Sequence, residues 1–416
     1  MRGLIIACLL CLFTLPILAQ ETDDETVIVT DFFGNEVTIS DRSRIISIGG
    51  AVTEVIYELG YGDNLVAVDE SSIYPQAATE LPQVGYLRFL SAEPILSYNP
   101  TLIITTEDAG PPEALEQLRA VGIPVLVVPA EDTLQGAVDK IRPIAAALNR
   151  VEEGEQLIAQ MQADIEQAQA LTANLEERPR VLFVFAGSSV ALGVLGQETG
   201  ANEMLRLAGA TNVIEDQTGY IPLTSEAIVA AAPDIIVTTS LSVERVGGYE
   251  RFLQLPGIAL TPAAENGRII YEGLDDLYLL GFTPRLGDAI LDLTYLLHES
   301  LPRPIPVVIR LNTSLNLFED AIDASELEDI LMDTTGLYTV FAPSDTALAD
   351  FTGELDPAHY VIEGAYSIDE LTPGTTLTAL DGHTLTITQD LLDALVITDL
   401  EAANGIIHVV DMVLSE

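Results

Sequence analysis

One block of this sequence occurs twice. Ser91-Ala-Glu-Pro-Ile-Leu-Ser-Tyr-Asn-Pro-Thr-Leu-Ile-Ile-Thr-Thr106 aligns without a gap on Thr224-Ser-Glu-Ala-Ile-Val-Ala-Ala-Ala-Pro-Asp-Ile-Ile-Val-Thr-Thr239. Glu93 falls on Glu226, Ile95 on Ile228 and Pro100 on Pro233. Each copy reads as a helix halted ahead of a proline, then a strand apolar enough to be buried on both faces. A chain that uses this unit twice is expected to build two similar α/β lobes.

The surrounding sequence fits that expectation. Arg44 to Ile48 reads as a strand running into Gly49-Gly50, and Val52 to Leu59 has helical apolar spacing and stops at Gly60. Leu65 to Asp69 and Pro124 to Val128 are further short strands, with a helical stretch at Pro112 to Ala120. Between the copies the chain turns to Ala, Gln, Glu and Leu, which predicts one long helix from near Val151 to before Pro179. The expected fold class is therefore α/β, with two Rossmann-like lobes (about 40–132 and 179–298) joined by a long helical segment (about 133–178) that limits hinge motion. Leu301-Pro-Arg-Pro-Ile-Pro306 marks a Pro-rich linker over 299–306, and an α+β domain is expected over 307–416 as an independent unit.

Composition narrows the function. With 64 acidic residues against 17 Lys and Arg, of which only Lys140 is a lysine, the formal net charge is −47. Such a surface repels nucleic acid and anionic lipid. Met1-Arg2-Gly3, the apolar run Leu4 to Leu18 and Ala19 read as a signal peptide cleaved near Ala19, too short to span a membrane. The expected location is periplasmic, extracellular or cell-surface. Both cysteines, Cys8 and Cys11, fall inside that leader. The sequence offers no Gly-x-Ser-x-Gly elbow, phosphate-binding glycine loop or histidine pair at zinc spacing, so it reads as a binding protein and not an enzyme.

Residues 28–298 resemble the helical-backbone substrate-binding proteins of ABC importers, and most closely their haemin-binding members. The resemblance rests on Ile46-Ser-Ile-Gly-Gly-Ala-Val-Thr-Glu-Val55, Leu81-Pro-Gln-Val-Gly-Tyr-Leu-Arg-Phe-Leu-Ser-Ala-Glu93, Val246-Gly-Gly248, Leu255-Pro-Gly-Ile-Ala-Leu-Thr-Pro262 and Leu279-Leu-Gly-Phe-Thr-Pro-Arg285. It implies capture of ferric haem b, as transported ligand and not as catalytic cofactor, for delivery to a membrane permease. Tyr86 is then the axial iron ligand, with Arg88 favouring its phenolate. Arg245 is the propionate partner, with Arg251 as the alternative, and Tyr74, Phe89 and Tyr249 would face the porphyrin. Glu54 and Glu203 would dock the permease. The second lobe offers no iron ligand in Phe183 to Ser189, and His298 reads as a capping or surface residue, so a tyrosine-only site is expected. A ferric-siderophore or cobalamin carrier is the alternative; the absence of Trp and the Gly-Tyr-Leu-Arg box count against it. A cell-surface adhesion protein is the alternative of another class.

The tail resembles a fasciclin domain on Tyr338-Thr-Val-Phe-Ala-Pro-Ser-Asp-Thr-Ala347 and Asn404-Gly-Ile-Ile-His-Val-Val-Asp-Met-Val-Leu414. That resemblance implies surface attachment or adhesion through a surface or matrix partner. His359-Tyr360 inverts the family's order, the short stretch Ala349 to Pro357 predicts an abbreviated helix, and His408 is expected to be structural.

Overall fold

The computed structural model describes residues 26–187, 192–222, 224–325, 327–349, 351–353 and 355–414. The expected signal peptide lies outside the described residues. A hairpin of Val27–Thr30 and Glu36–Ile39 leads into the first lobe. There β1 (Ile45–Ile48), β2 (Leu65–Val68), β3 (Leu102–Thr106) and β4 (Val125–Val128) form a parallel sheet in the order β2-β1-β3-β4. Every residue of β1, β3 and β4 is buried. Helices cover both faces, which is why these strands read as near-continuous apolar runs broken only by Ser and Thr. α1 (Gly50–Glu58) follows β1, and α2 (Ala92–Ser97) precedes β3.

The linking segment is two helices, of which the second is the long helix predicted from near Val151. α3 (Leu134–Ala147) and α4 (Val151–Thr172) meet at Asn149, which turns the chain with φ +59°. Gly154 lets them approach, since a Cβ there would lie 2.4 Å from that of Ala145. At 1.5 Å per residue α4 is about 33 Å long. Its Ile158, Met161 and Ile165 share one core with Ile45 of the first lobe and Val181 of the second. Lys140 is buried, and its ammonium donates to the carbonyls of Gly281 (3.1 Å) and Phe282 (3.2 Å). Burial pushes that ammonium down to about 8.

The second lobe places β5 (Arg180–Phe185) beside β6 (Ile235–Val237), which pairs in turn with β7 (Ile269–Ile270), all parallel. Two antiparallel strands, Gly193–Leu195 and Tyr220–Pro222, extend the β5 edge. The repeat folds as the same unit twice: α2 into β3, and α5 (Ser225–Ala231) into β6. Equivalent residues, Asn99 and Ala232, turn each chain with φ +48° and +43° just before the proline. Asparagine tolerates that conformation; alanine is held in it by its surroundings. α6 (Leu286–Leu297) then packs along α4.

The C-terminal domain pairs its two signature stretches directly. β8 (Tyr338–Pro343) lies parallel to β11 (Gly405–Val410), flanked by β9 (Val361–Glu363) and β10 (Leu395–Ala402) in the order β9-β8-β11-β10. The helix after β8, Asp345–Leu348, is one turn long. His408 is buried, accepting from the Asp399 amide (3.3 Å) and lying 2.9 Å from the Tyr366 carbonyl, in the structural role its sequence context implied.

The linker is not a free spacer. Its last residues begin α7 (Ile305–Arg310), whose Ile305 and Ile309 enter the C-terminal core while Val307 enters the two-lobe core. Asn404 ties it down by accepting from the Ile305 amide (2.9 Å) and donating to the Leu331 carbonyl (2.6 Å). The lobes and the C-terminal domain therefore pack against each other through this helix. At the junction Arg310 meets five carboxylates: Asp288 (3.4 Å) and Asp292 (3.3 Å) of α6, and Glu319 (3.1 Å), Asp323 (3.4 Å) and Glu328 (2.7 Å) of the C-terminal domain. Nearby, Arg285 pairs with Glu54 of α1 (2.9 Å), lies 3.5 Å above the Tyr74 ring and 5.0 Å from that of Tyr278. Tyr74 completes the contact by donating to Asp320 (3.2 Å).

One guanidinium cannot neutralise five carboxylates. Burial, with the charge of Asp288, pushes Asp164 up to about 7, and burial pushes Asp292 up to about 6. A carboxyl whose folded value is raised binds its proton more tightly in the folded state, so its contribution to stability falls as pH climbs from about 4 to about 7. Asp164→Asn is therefore expected to stabilise the protein more at pH 8 than at pH 5.5, read as the difference in Tm by calorimetry. Arg285→Ala leaves Glu54 buried without its partner and is expected to cost about 3–5 kcal/mol in denaturant unfolding. Arg285→Lys should recover only part of this, because the ammonium lacks the planar face that lies on Tyr74.

Candidate functional site

In parallel α/β sheets the strand ends nearest the carboxyl terminus open onto ligand clefts. Both lobes turn that edge toward the same seam: a Cβ on Gly50, just past β1, would lie 3.1 Å from Leu277, which follows β7. Tyr86 stands on the first-lobe rim. Residues 82–84 run beside β2, with the Val68 amide donating to Pro82 (3.0 Å) and that of Val84 to Val68 (2.9 Å). Gly85 turns the chain with φ +101°, although a Cβ there would meet nothing within 4 Å, so it is needed for conformation and not for space. Tyr86 then opens a short turn, its carbonyl accepting from the Phe89 amide (2.8 Å), and Gly110 closes the loop by donating to Leu87 (2.9 Å) and accepting from Leu90 (2.7 Å). The tyrosine backbone is thus pinned between the ends of β2 and β3.

The half-buried Tyr86 ring lies 6.1 Å from that of Phe89, whose side chain is 77% exposed. Arg88 is drawn to Asp108 (2.6 Å), which offsets much of the positive charge expected to favour a phenolate at Tyr86. On the second lobe Arg245 donates to the Ala186 carbonyl (2.7 Å) and to Asp276 (2.8 Å), joining three loops of that rim. Gly247 and Gly248 follow with φ +98° and +99°, and the Arg251 side chain packs over Gly247.

The remaining expected residues go elsewhere. Tyr74 is held by Arg285 and Asp320 at the domain junction, where it lines a cavity of about 700 Å³ with Arg310 and Glu319. Tyr249 stacks on Tyr271 (5.4 Å) beside Arg303 and Leu311, also at the junction. Neither is brought to Tyr86. Glu54 does not point outward: it is 0% exposed and paired with Arg285, so it belongs to the scaffold. Glu203 is held within its own helix by Arg206 (2.7 Å). The repeat offers a better matched acidic pair, Glu93 and Glu226, each exposed in the first turn of α2 and α5. His298 is buried at the end of α6, 3.0 Å from the Ala208 carbonyl, a cap and not a surface residue. In the stretch Phe183 to Ser189, the last two residues lie outside the described residues.

Two residues at the strand ends were not anticipated. Thr105 and Thr238 occupy equivalent places in the repeat, and the hydroxyl of each is buried with no hydrogen-bond partner among the described residues. The gapless alignment of the two copies was the available signal.

Comparison with known proteins agrees with this architecture. The periplasmic binding protein family profile matches residues 45–273, and the fasciclin domain profile matches residues 313–416. A solved periplasmic heme-binding protein from Roseiflexus sp. RS-1 is 42% identical, superposes with a TM-score of 0.59, and covers 62% of this chain and 99% of its own. An uncharacterized ABC transporter substrate-binding lipoprotein of Bacillus subtilis is 32% identical over 55% of this chain and 76% of its own length. A vitamin B12-binding protein of Vibrio campbellii is 26% identical over 49% and 73%. With a matched profile over more than half its length, two lobes of the same α/β unit and a shared helical spine, this chain belongs to the periplasmic binding protein family and carries a C-terminal fasciclin domain.

Proposed function

We propose that this protein is exported, binds ferric haem through Tyr86 in the interlobe cleft, and delivers it to the permease of an ABC importer. The observation that carries the reading is the pinned loop at residues 85–90, which presents Tyr86 and the exposed Phe89 together on the first-lobe rim. The 42% identity to a protein named as heme-binding supports it. A phenolate oxygen is a hard anionic donor suited to Fe(III), whose own charge favours the ionised form of the ligand. Phe89 offers an apolar face for a porphyrin. Arg245, already shared between Ala186 and Asp276, would receive a propionate if Asp276 yields part of its hold.

Cobalamin is the second reading, favoured by the similarity to the vitamin B12-binding protein of Vibrio campbellii. The fasciclin domain is proposed to hold the protein at a surface. Because its helix α7 is wedged into both cores, it would do so as part of one body with the lobes.

Titration of the purified protein with hemin should give a high-spin ferric spectrum with a phenolate charge-transfer band, and Tyr86→Phe should remove that band and weaken binding at least tenfold. Saturable binding of cyanocobalamin with no response to hemin would replace this reading with the second. For delivery, Glu93→Arg with Glu226→Arg should reduce haem import by cells carrying the cognate permease, while hemin affinity stays within twofold of wild type.

A further inference from the structure

No pair of histidines stands at metal-binding spacing in the sequence, yet the fold assembles one. His359 lies on the short helical turn Pro357–Tyr360, while Asp381 and His383 form the tip of the hairpin between Thr376–Thr378 and Thr384–Thr386. The Nδ1 atoms of His359 and His383 lie 2.8 and 2.7 Å from the same Asp381 oxygen, Oδ2. The other oxygen, Oδ1, accepts from the His383 amide (2.9 Å) and so fixes the carboxylate. The two rings meet edge to face with centroids 4.8 Å apart, and one donor atom from each residue falls within 4.8 Å of the others.

We propose that His359, Asp381 and His383 form a binding site for a divalent transition metal of the zinc type on the fasciclin domain. Bonds of about 2.0–2.2 Å from a tetrahedral ion would place its donors roughly 3.3 Å apart, so each present contact need open by only about half an ångström. The hairpin tip can supply that movement through Gly382, which has φ +90° and open space around a Cβ position. Two imidazoles and a carboxylate select zinc, cobalt, nickel or copper over magnesium and calcium, which prefer all-oxygen shells. The surrounding field is favourable too, because every Asp, Glu, Lys or Arg after Arg310 is acidic. The His383 side chain is 54% exposed, against 15% for His359 and 11% for Asp381, so solvent reaches the cluster from the His383 side.

The site lies outside the lobes and does not depend on haem binding. Full-length, haem-free protein in about 150 mM NaCl with excess Mg²⁺, which occupies unspecific carboxylate sites, is titrated with Co²⁺ and read by its visible d–d absorption, then with Zn²⁺ by calorimetry. One equivalent is expected to bind, with the Co²⁺ spectrum of a mixed nitrogen and oxygen shell. His383→Ala and Asp381→Asn, both at the hairpin tip, should each weaken binding at least tenfold with near-UV circular dichroism unchanged. The double variant His359→Ala, His383→Ala should abolish it and leave hemin binding intact. Absence of Mg²⁺-resistant binding by the wild type, or an unchanged Co²⁺ spectrum in the double variant, would overturn the proposal. Tyr86→Phe should bind the metal like the wild type, which separates failure of this site from failure of the haem reading.

Discussion

The buried pair of Arg285 and Glu54 is the interaction on which the arrangement of the molecule most depends. Glu54 comes from the first helix of lobe 1 and Arg285 from the start of the helix that packs along the linking spine. A carboxylate with no exposure has no water to solvate it, so its position is tolerable only while that guanidinium stays in place. Tyr74 and Tyr278 flank the guanidinium, and Tyr74 extends the contact to Asp320 of the C-terminal domain. One cation thereby correlates two lobes and a third domain. A molecule tied at this point, and sharing one core along α4, closes on a ligand by small adjustments more readily than by a wide swing.

Scarcity of positive charge shapes the rest. Lys140 is spent on two backbone carbonyls, Arg310 on five carboxylates and Arg285 on Glu54. Arg88 and Arg245, at the cleft rims, are each engaged by an aspartate. An anionic ligand entering the cleft must therefore compete with the protein's own carboxylates, and under the proposed haem reading specificity would fall more heavily on Tyr86 and on apolar contact than on ion pairing. The same excess of acid makes the C-terminal domain receptive to cations.

Much of the architecture was legible in the chain. The repeated block announced two α/β units, and the near-continuous apolar runs at Ile45–Ile48 and Leu102–Thr106 announced strands covered on both faces. The two boxes that carry the fasciclin resemblance are paired side by side by the fold. In the linking segment the long helix from near Val151 was legible from its run of Ala, Gln, Glu and Leu, whereas the separate helix ahead of Asn149 was not distinguished, because propensity does not register a single left-handed residue. The Pro-rich stretch was read as a spacer because its composition suits one, while the apolar residues that wedge it into two cores come at its end.

Local sequence determined the units: where strands and helices begin, which glycine turns the chain ahead of Tyr86, and that Tyr86, Arg88 and Phe89 share one loop. Only the tertiary structure decided partnership. It buried Glu54 against a residue more than two hundred positions away, turned Tyr74 and Tyr249 to the domain junction, and gathered His359 and His383 around Asp381. The physical reason is common to all of these: periodicity and turn chemistry act over a few residues and are written locally, whereas the neighbour of a charge or a ring is set by how distant surfaces pack, which no short stretch of sequence encodes.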